Sequence, residues 1–211
     1  EAMNISIPST ASRLIGSFGY FLEPIILTNA LTYVGYSSNF IVTEYGVISG
    51  FVMPLLLLPS FFTMAISQAL LPIISKATSS KHYDYAKKKL KQAIGISLLI
   101  GVPASLLLAI FPEFFLGLIY NTHEGVAYMR FLAPICILQY IQAPLSACLD
   151  AMGLTKLGLK ATIIGTLIRT IFLLIFSLLK IKLWGLIFST SLNVIFTTLY
   201  NLYQVKTSLK K

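Results

Sequence analysis

Charge is what this chain has least of. Only seven of its 211 residues are acidic and 16 basic, so charged residues make up 11% of a chain that is 56% hydrophobic. Soluble domains carry about 25% charged residues, and this composition excludes an ordinary soluble enzyme. Between Glu44 and Lys76 there is no charged residue at all. Histidine and cysteine are as sparse, two of each. His82 and His123 fall in different connections, expected on opposite sides of a membrane, so there is no metal-spaced histidine pair, and no nucleotide-binding glycine loop is present. Cys136 and Cys148 lie about 18 Å apart along one helical segment, too far for a disulfide. These absences point away from catalysis and redox chemistry.

What the chain does have is apolar runs of membrane-crossing length. A helix needs about 20 apolar residues to cross the hydrocarbon core. Six such runs are expected to span: Leu14 to Val34, Val47 to Ile74, Ala93 to Phe111, Phe131 to Leu149, Ala161 to Leu179 and Leu183 to Val205. The fold class is therefore all-α, a polytopic membrane protein whose residues 1–211 form a single six-helix unit. Pro54, Pro59 and Pro72 interrupt the second run, and the carbonyls they free must be satisfied by neighbouring helices or water.

The formal charge of +9 would suit nucleic acid, but the basic residues stand in the gaps between apolar runs, where membrane orientation explains them. Lys76, Lys81, Lys87, Lys88, Lys89 and Lys91 crowd the second connection, Lys156 and Lys160 the fourth, and Lys206, Lys210 and Lys211 the tail. Glu44, Glu113 and Glu124 mark the first and third. Both termini are thus expected on the cytoplasmic side of the cell membrane, with Lys180 and Lys182 opposing weakly. The segment Lys81 to Gln92 reads as an amphipathic cytoplasmic helix, either a topology determinant or a site for anionic membrane lipids. Gly46 with Gly50, and Ser97, Gly101 and Ser105, have the spacing that lets helices pack closely. The opening Glu-Ala-Met shows no signal peptide, and the chain is expected to be part of something longer.

Ionisable groups at membrane depth carry the functional information, because a charge at the bilayer centre costs at least ~2.5 kcal/mol and needs a partner. Glu23 lies mid-way along the first run, just before Pro24. Desolvation favours its neutral form, which would carry a proton, whereas a cation or arginine would keep it ionised; the residues leave both readings open. Arg169 lies near the centre of the fifth run, flanked by Thr166 and Thr170. It either binds a phosphate or diphosphate bidentately or pairs with Glu23. Arg13 meets a headgroup or anchors the first helix by snorkelling. Asn193, Gln139 and Gln142 either glue helices together or help to coordinate a cation. Arg130 and Asp150 bracket the fourth run and set helix depth.

Several long strings carry a family likeness. Ser-Arg-Leu-Ile-Gly-Ser at 12 to 17, Glu-Tyr-Gly-Val-Ile-Ser-Gly at 44 to 50 and Pro-Leu-Leu-Leu-Leu-Pro-Ser-Phe-Phe at 54 to 62 resemble the stage V sporulation protein B and polysaccharide-exporter family. So do Ala-Ile-Ser-Gln-Ala-Leu-Leu-Pro-Ile-Ile-Ser at 65 to 75, Tyr-Ile-Gln-Ala-Pro-Leu-Ser at 140 to 146 and Leu-Trp-Gly-Leu-Ile at 183 to 187. The resemblance implies the multidrug, oligosaccharidyl-lipid and polysaccharide exporter superfamily, with two six-helix lobes around an alternating-access cavity, and makes this chain its second, C-terminal lobe. It implies a flippase for an undecaprenyl-diphosphate-linked saccharide such as the peptidoglycan precursor, feeding the spore cortex, with Arg169 and Arg13 on the diphosphate and an N-terminal lobe as partner. No cofactor is implied beyond coupling to sodium or protons through Glu23 and Asn193; Arg169 stands in the helix where relatives place an acidic sodium ligand, which weighs against sodium. Two other readings compete: a non-transporting scaffold for cell-wall enzymes, and a cation-coupled small-molecule exporter.

Overall fold

A computed structural model describes the backbone of residues 2–209, with side chains from residue 10 onward except 12 and 13. Lys210 and Lys211 of the expected basic tail lie outside the described residues, as does the side chain of Arg13. The described chain is helical with no strand: α1 (Ala2–Tyr33), α2 (Ser38–Gly46), a π-helical segment (Val47–Val52), α3 (Met53–Leu57), α4 (Ser60–Ser79), α5 (Tyr83–Ile110), α6 (Pro112–Tyr120), α7 (Val126–Ala151), α8 (Thr155–Leu178) and α9 (Trp184–Ser208).

Among the described residues seven helical segments, not six, are long and apolar enough to cross a membrane. The extra one arises in the second expected run, which begins earlier, at Ser38, and divides at Leu58 and Pro59. Both residues keep right-handed helical dihedrals, so α2 to α4 form a bent path rather than a hairpin. The proline chemistry explains the bend. Pro59 has no N–H for the Leu55 carbonyl and its ring crowds the preceding turn; Leu55 accepts from Leu58 N–H at 3.3 Å instead, and the Tyr140 hydroxyl of α7 donates to the adjacent Leu56 carbonyl at 2.7 Å, so a neighbouring helix braces the break. One turn earlier, before Pro54, the backbone widens, and Met53 N–H reaches Ile48 carbonyl in the wider π register.

Most other boundaries run outward from the apolar windows, because the first and last turns of these helices are polar. The expected separate helix from Lys81 to Gln92 is one case: Tyr83 onward is continuous with the span, and α5 is a single 28-residue helix. Of the two small-residue patterns, only the second packs. Ser97 and Ser105 are fully buried, with the Ser105 hydroxyl on the Ala133 carbonyl of α7, whereas Gly46 and Gly50 are exposed with no side chain close by.

Two apolar clusters define the ends of the bundle. At one, Leu70, Ile74, Leu90, Leu145, Leu149 and Val205 pack α4, α5, α7 and α9 together beneath the basic connections. At the other, Leu27, Leu56, Leu116, Met129, Leu183 and Ile187 pack the remaining segments around Tyr128 and Trp184. Glu44, Glu113 and Glu124 lie at this second end. α8 packs against α1 and α9, and α7 against α9, α5 and α4. Outward-facing Leu99, Leu118 and Tyr33 are more than two-thirds exposed, as lipid-facing positions of a membrane bundle would be.

Candidate functional site

The groove between α1, the bent α2–α4 path and the floor of α7, α8 and α9 contains a cavity of about 380 Å³. Close helix approach forms its wall. A Cβ at Gly19 of α1 would sit 2.5 Å from Thr166 Cγ2 of α8, and one at Gly165 would collide with Asn193 and Thr197 of α9, so glycine is what lets α8 sit tightly against both neighbours. That seam points α8's polar stripe, Thr162, Thr166, Arg169 and Thr170, into the cavity.

At mid-depth Arg169 and Glu23 form an ion pair through Nη2 and Oε2, with both side chains more than nine-tenths buried. The Tyr45 hydroxyl donates to the other carboxylate oxygen of Glu23 at 3.2 Å, linking α2 to α1. Tyr20 lies beneath the guanidinium, 4.3 Å from ring centroid to Cζ, which adds a cation–π contact. Arg169 Nε is buried and finds no hydrogen-bond partner among the described residues. A buried pair of this kind gains Coulomb energy only against a large desolvation cost, and losing one partner strands the other charge.

Asn193 sits on the same cavity wall, half-buried, its Oδ1 accepting from Thr197 Oγ1 at 3.1 Å. Gln139 and Gln142 of α7 line it as well. The structure thus brings together Glu23, Arg169, Asn193 and both glutamines, while Arg13 lies on α1 with its side chain outside the described residues. Arg130 lies apart, 3.8 Å from Glu113 in an exposed pair. The two tyrosines of the site were not singled out from sequence. Tyr20, one helical turn before Glu23 on the same face, was legible from spacing; Tyr45 reaches Glu23 only through the tertiary fold. Among the described residues no group of three or more His, Cys, Asp or Glu could hold a metal ion.

Comparison with known proteins accords with this geometry. The MatE family profile matches residues 24–175. The chain belongs to the MatE family. It is 34% identical over 170 residues to Stage V sporulation protein B of Bacillus subtilis (strain 168), covering 81% of this chain and 33% of that protein. It is 30% identical over 152 residues to Sporulation protein YkvU of the same strain, covering 72% of this chain and 34% of the relative. The chain therefore spans about a third of the length of these curated relatives. Its backbone is similar to a MATE crystal structure in the bent conformation, with a TM-score of 0.83 and 16% identity over 99% of this chain and 45% of that one. It is also similar to a MATE crystallised in complex with MaL6, with a TM-score of 0.80 and 14% identity over 99% and 46%. At those identities the likeness shows fold. Family and apolar helices together make this a multi-pass membrane protein.

Proposed function

We propose that this MatE chain is one lobe of a flippase that carries an undecaprenyl-diphosphate-linked saccharide across the cell membrane by alternating access, with its basic end at the cytoplasm. The single observation carrying the reading is the buried Glu23–Arg169 pair inside a polar cavity at membrane depth. Ionisable groups in such a place mark a substrate or ion path. A lone lobe cannot enclose a cavity open alternately to both sides, so a second lobe completes the path. The sporulation names of the two relatives support the saccharide class.

In the observed state Glu23 neutralises Arg169. A diphosphate entering the groove competes for the guanidinium, which offers planar paired donors, and Arg169 Nε already stands unpartnered. Glu23, once displaced, takes up a proton or a cation. Substrate and coupling ion then bind linked sites, and their differential affinities for the two states provide the bias that alternating access needs.

The test is flipping of lipid II in proteoliposomes by the full-length protein, beside Arg169→Ala and Glu23→Gln at matched insertion. Loss of flipping in Arg169→Ala is expected, with a reduced rate in Glu23→Gln. Unchanged flipping in Arg169→Ala removes the diphosphate role, and no flipping by the full-length protein itself favours the scaffold.

A further inference from the structure

A second cavity, about 570 Å³, opens from the first toward the basic end of the bundle. The two share Leu57, Gln139, Gln142, Thr162 and Thr197 as walls, so they form one polar groove. Thr162, at their junction, is about 10 Å of helix rise from Arg169. The second cavity gathers three hydrogen-bonding oxygens with nothing to bond. Ser60 Oγ, Thr155 Oγ1 and Asn201 Oδ1 all belong to residues lining it, all are buried atoms, and none has a partner among the described residues. Thr155 and Asn201 are 3% and 2% exposed. Most buried polar groups in folded proteins are satisfied, and three of the seven buried side-chain atoms without a hydrogen-bond partner among the described residues cluster at this one cavity.

The chemistry of the orphans narrows the ligand. Asn201 Oδ1 is an acceptor only and calls for a donor, while the two hydroxyls both donate and accept. The amide's other end is already engaged, Nδ2 donating to Ser146 Oγ at 3.4 Å. An inorganic anion would satisfy the hydroxyls but meet the unpaired amide oxygen of Asn201. A bare cation would suit these oxygens and the glutamine carbonyls, but it leaves the glutamine N–H donors without a partner. A polyhydroxyl ligand fits all of them, since each sugar hydroxyl both donates and accepts. Phe61, on the rim and 69% exposed, offers the flat apolar face on which the C–H side of a pyranose ring stacks.

We infer that this chamber is a saccharide subsite, holding the glycan of the lipid-linked substrate through Ser60, Thr155, Asn201, Gln142 and Phe61 while the diphosphate lies at Arg169. The inference rests on the flippase reading and deepens it. At about 570 Å³ the chamber falls within the size range of ligand pockets.

The experiment measures binding of two short-chain ligands to the full-length protein in nanodiscs: farnesyl diphosphate, and farnesyl diphosphate carrying an N-acetylated disaccharide. The sugar-bearing ligand is expected to bind more tightly. Asn201→Leu should erase that advantage, about tenfold, the size of one or two net hydrogen bonds, and leave farnesyl diphosphate binding unchanged. Phe61→Ala, at a position 69% exposed, should reduce the same advantage, so a misfolded Asn201 variant does not decide the matter. Equal binding of both ligands by the wild-type protein would overturn the subsite, leaving water as the occupant, while the diphosphate reading stands. Equal weakening of both ligands by Phe61→Ala would also overturn it. Binding of neither ligand overturns both readings together.

Discussion

The aromatic cluster and the polar-walled groove of this bundle solve opposite problems. At the far end from the lysine-rich connections, Trp184 stacks edge-on against Tyr128 and Phe131 and tilted against Phe188, with ring centroids 5.2 to 5.7 Å apart, and the Tyr128 hydroxyl donates to Glu44 at 2.7 Å. Phe131 and Phe176 close the cluster against Phe188. Such pairs contribute about 0.5–1.5 kcal/mol each beyond burial. From mid-depth toward the basic end, α4, α5, α7 and α9 still pack around Leu70, Ile74, Leu145 and Val205, but beside that cluster runs a groove walled by amides, hydroxyls and one ion pair. The difference teaches where stability and function are separated: the aromatic end ties α7, α8 and α9 together, while the groove lies between α8 and the bent path, with α1 held beside it by its close seam with α8.

The largest expected effect breaks the groove. Arg169→Ala leaves Glu23 as a buried charge without its partner and should cost about 3–5 kcal/mol of stability as well as transport. A Glu23→Gln/Arg169→Gln double variant should recover most of that stability and none of the transport, measured by thermal unfolding in detergent beside proteoliposome flipping. Trp184→Ala should cost about 3 kcal/mol through the cavity it leaves in the aromatic plug, yet retain transport at temperatures where the variant stays folded. Transport lost in Trp184→Ala at full folding would erase the distinction between the ends.

A smaller effect sharpens the seam that aims the arginine. Gly19→Ala forces a methyl against Thr166, whose branched side chain has little freedom to yield, and overpacking of this kind costs about 1–3 kcal/mol. The variant should lose transport out of proportion to stability, because α1 carries Glu23 and Tyr20 with it. Thermal unfolding and flipping, measured on one preparation, separate the two losses.

The sequence made the membrane class legible, since charge-free runs of this length have few other uses. It made Glu23 and Arg169 legible for the same reason: polar cost at membrane depth is visible in one dimension. The kink was legible as Pro59, but not its partner, because Tyr140 lies 81 residues downstream and reads there as one more aromatic in an apolar run. Helix ends were misjudged wherever the first turns are polar, as at Tyr83, since hydropathy marks where lipid begins rather than where helix begins. The chamber around Asn201 was invisible, because Ser60, Thr155 and Asn201 come from three separate segments and are ordinary residues singly. Burial without a partner is a property of the fold alone.

The smallest expected effect tests whether the groove's two sides are coupled. Tyr45 comes from α2, immediately before the π-helical segment, and its hydroxyl is the bond that ties this side to Glu23 on α1. Tyr45→Phe keeps the ring and removes only that donor, leaving Arg169 on the other carboxylate oxygen, so the loss should be about 1 kcal/mol, with transport largely kept. The informative quantity is the interaction energy in a double-mutant cycle with Glu23→Gln, read from thermal unfolding. A coupling of about 1 kcal/mol means that the bent path senses the state of the carboxylate, so displacing Glu23 from Arg169 also loosens α2 from α1. A coupling near zero would mean that Tyr45 is only a neighbour, and that whatever opens the groove acts through α8 and its seam with α1.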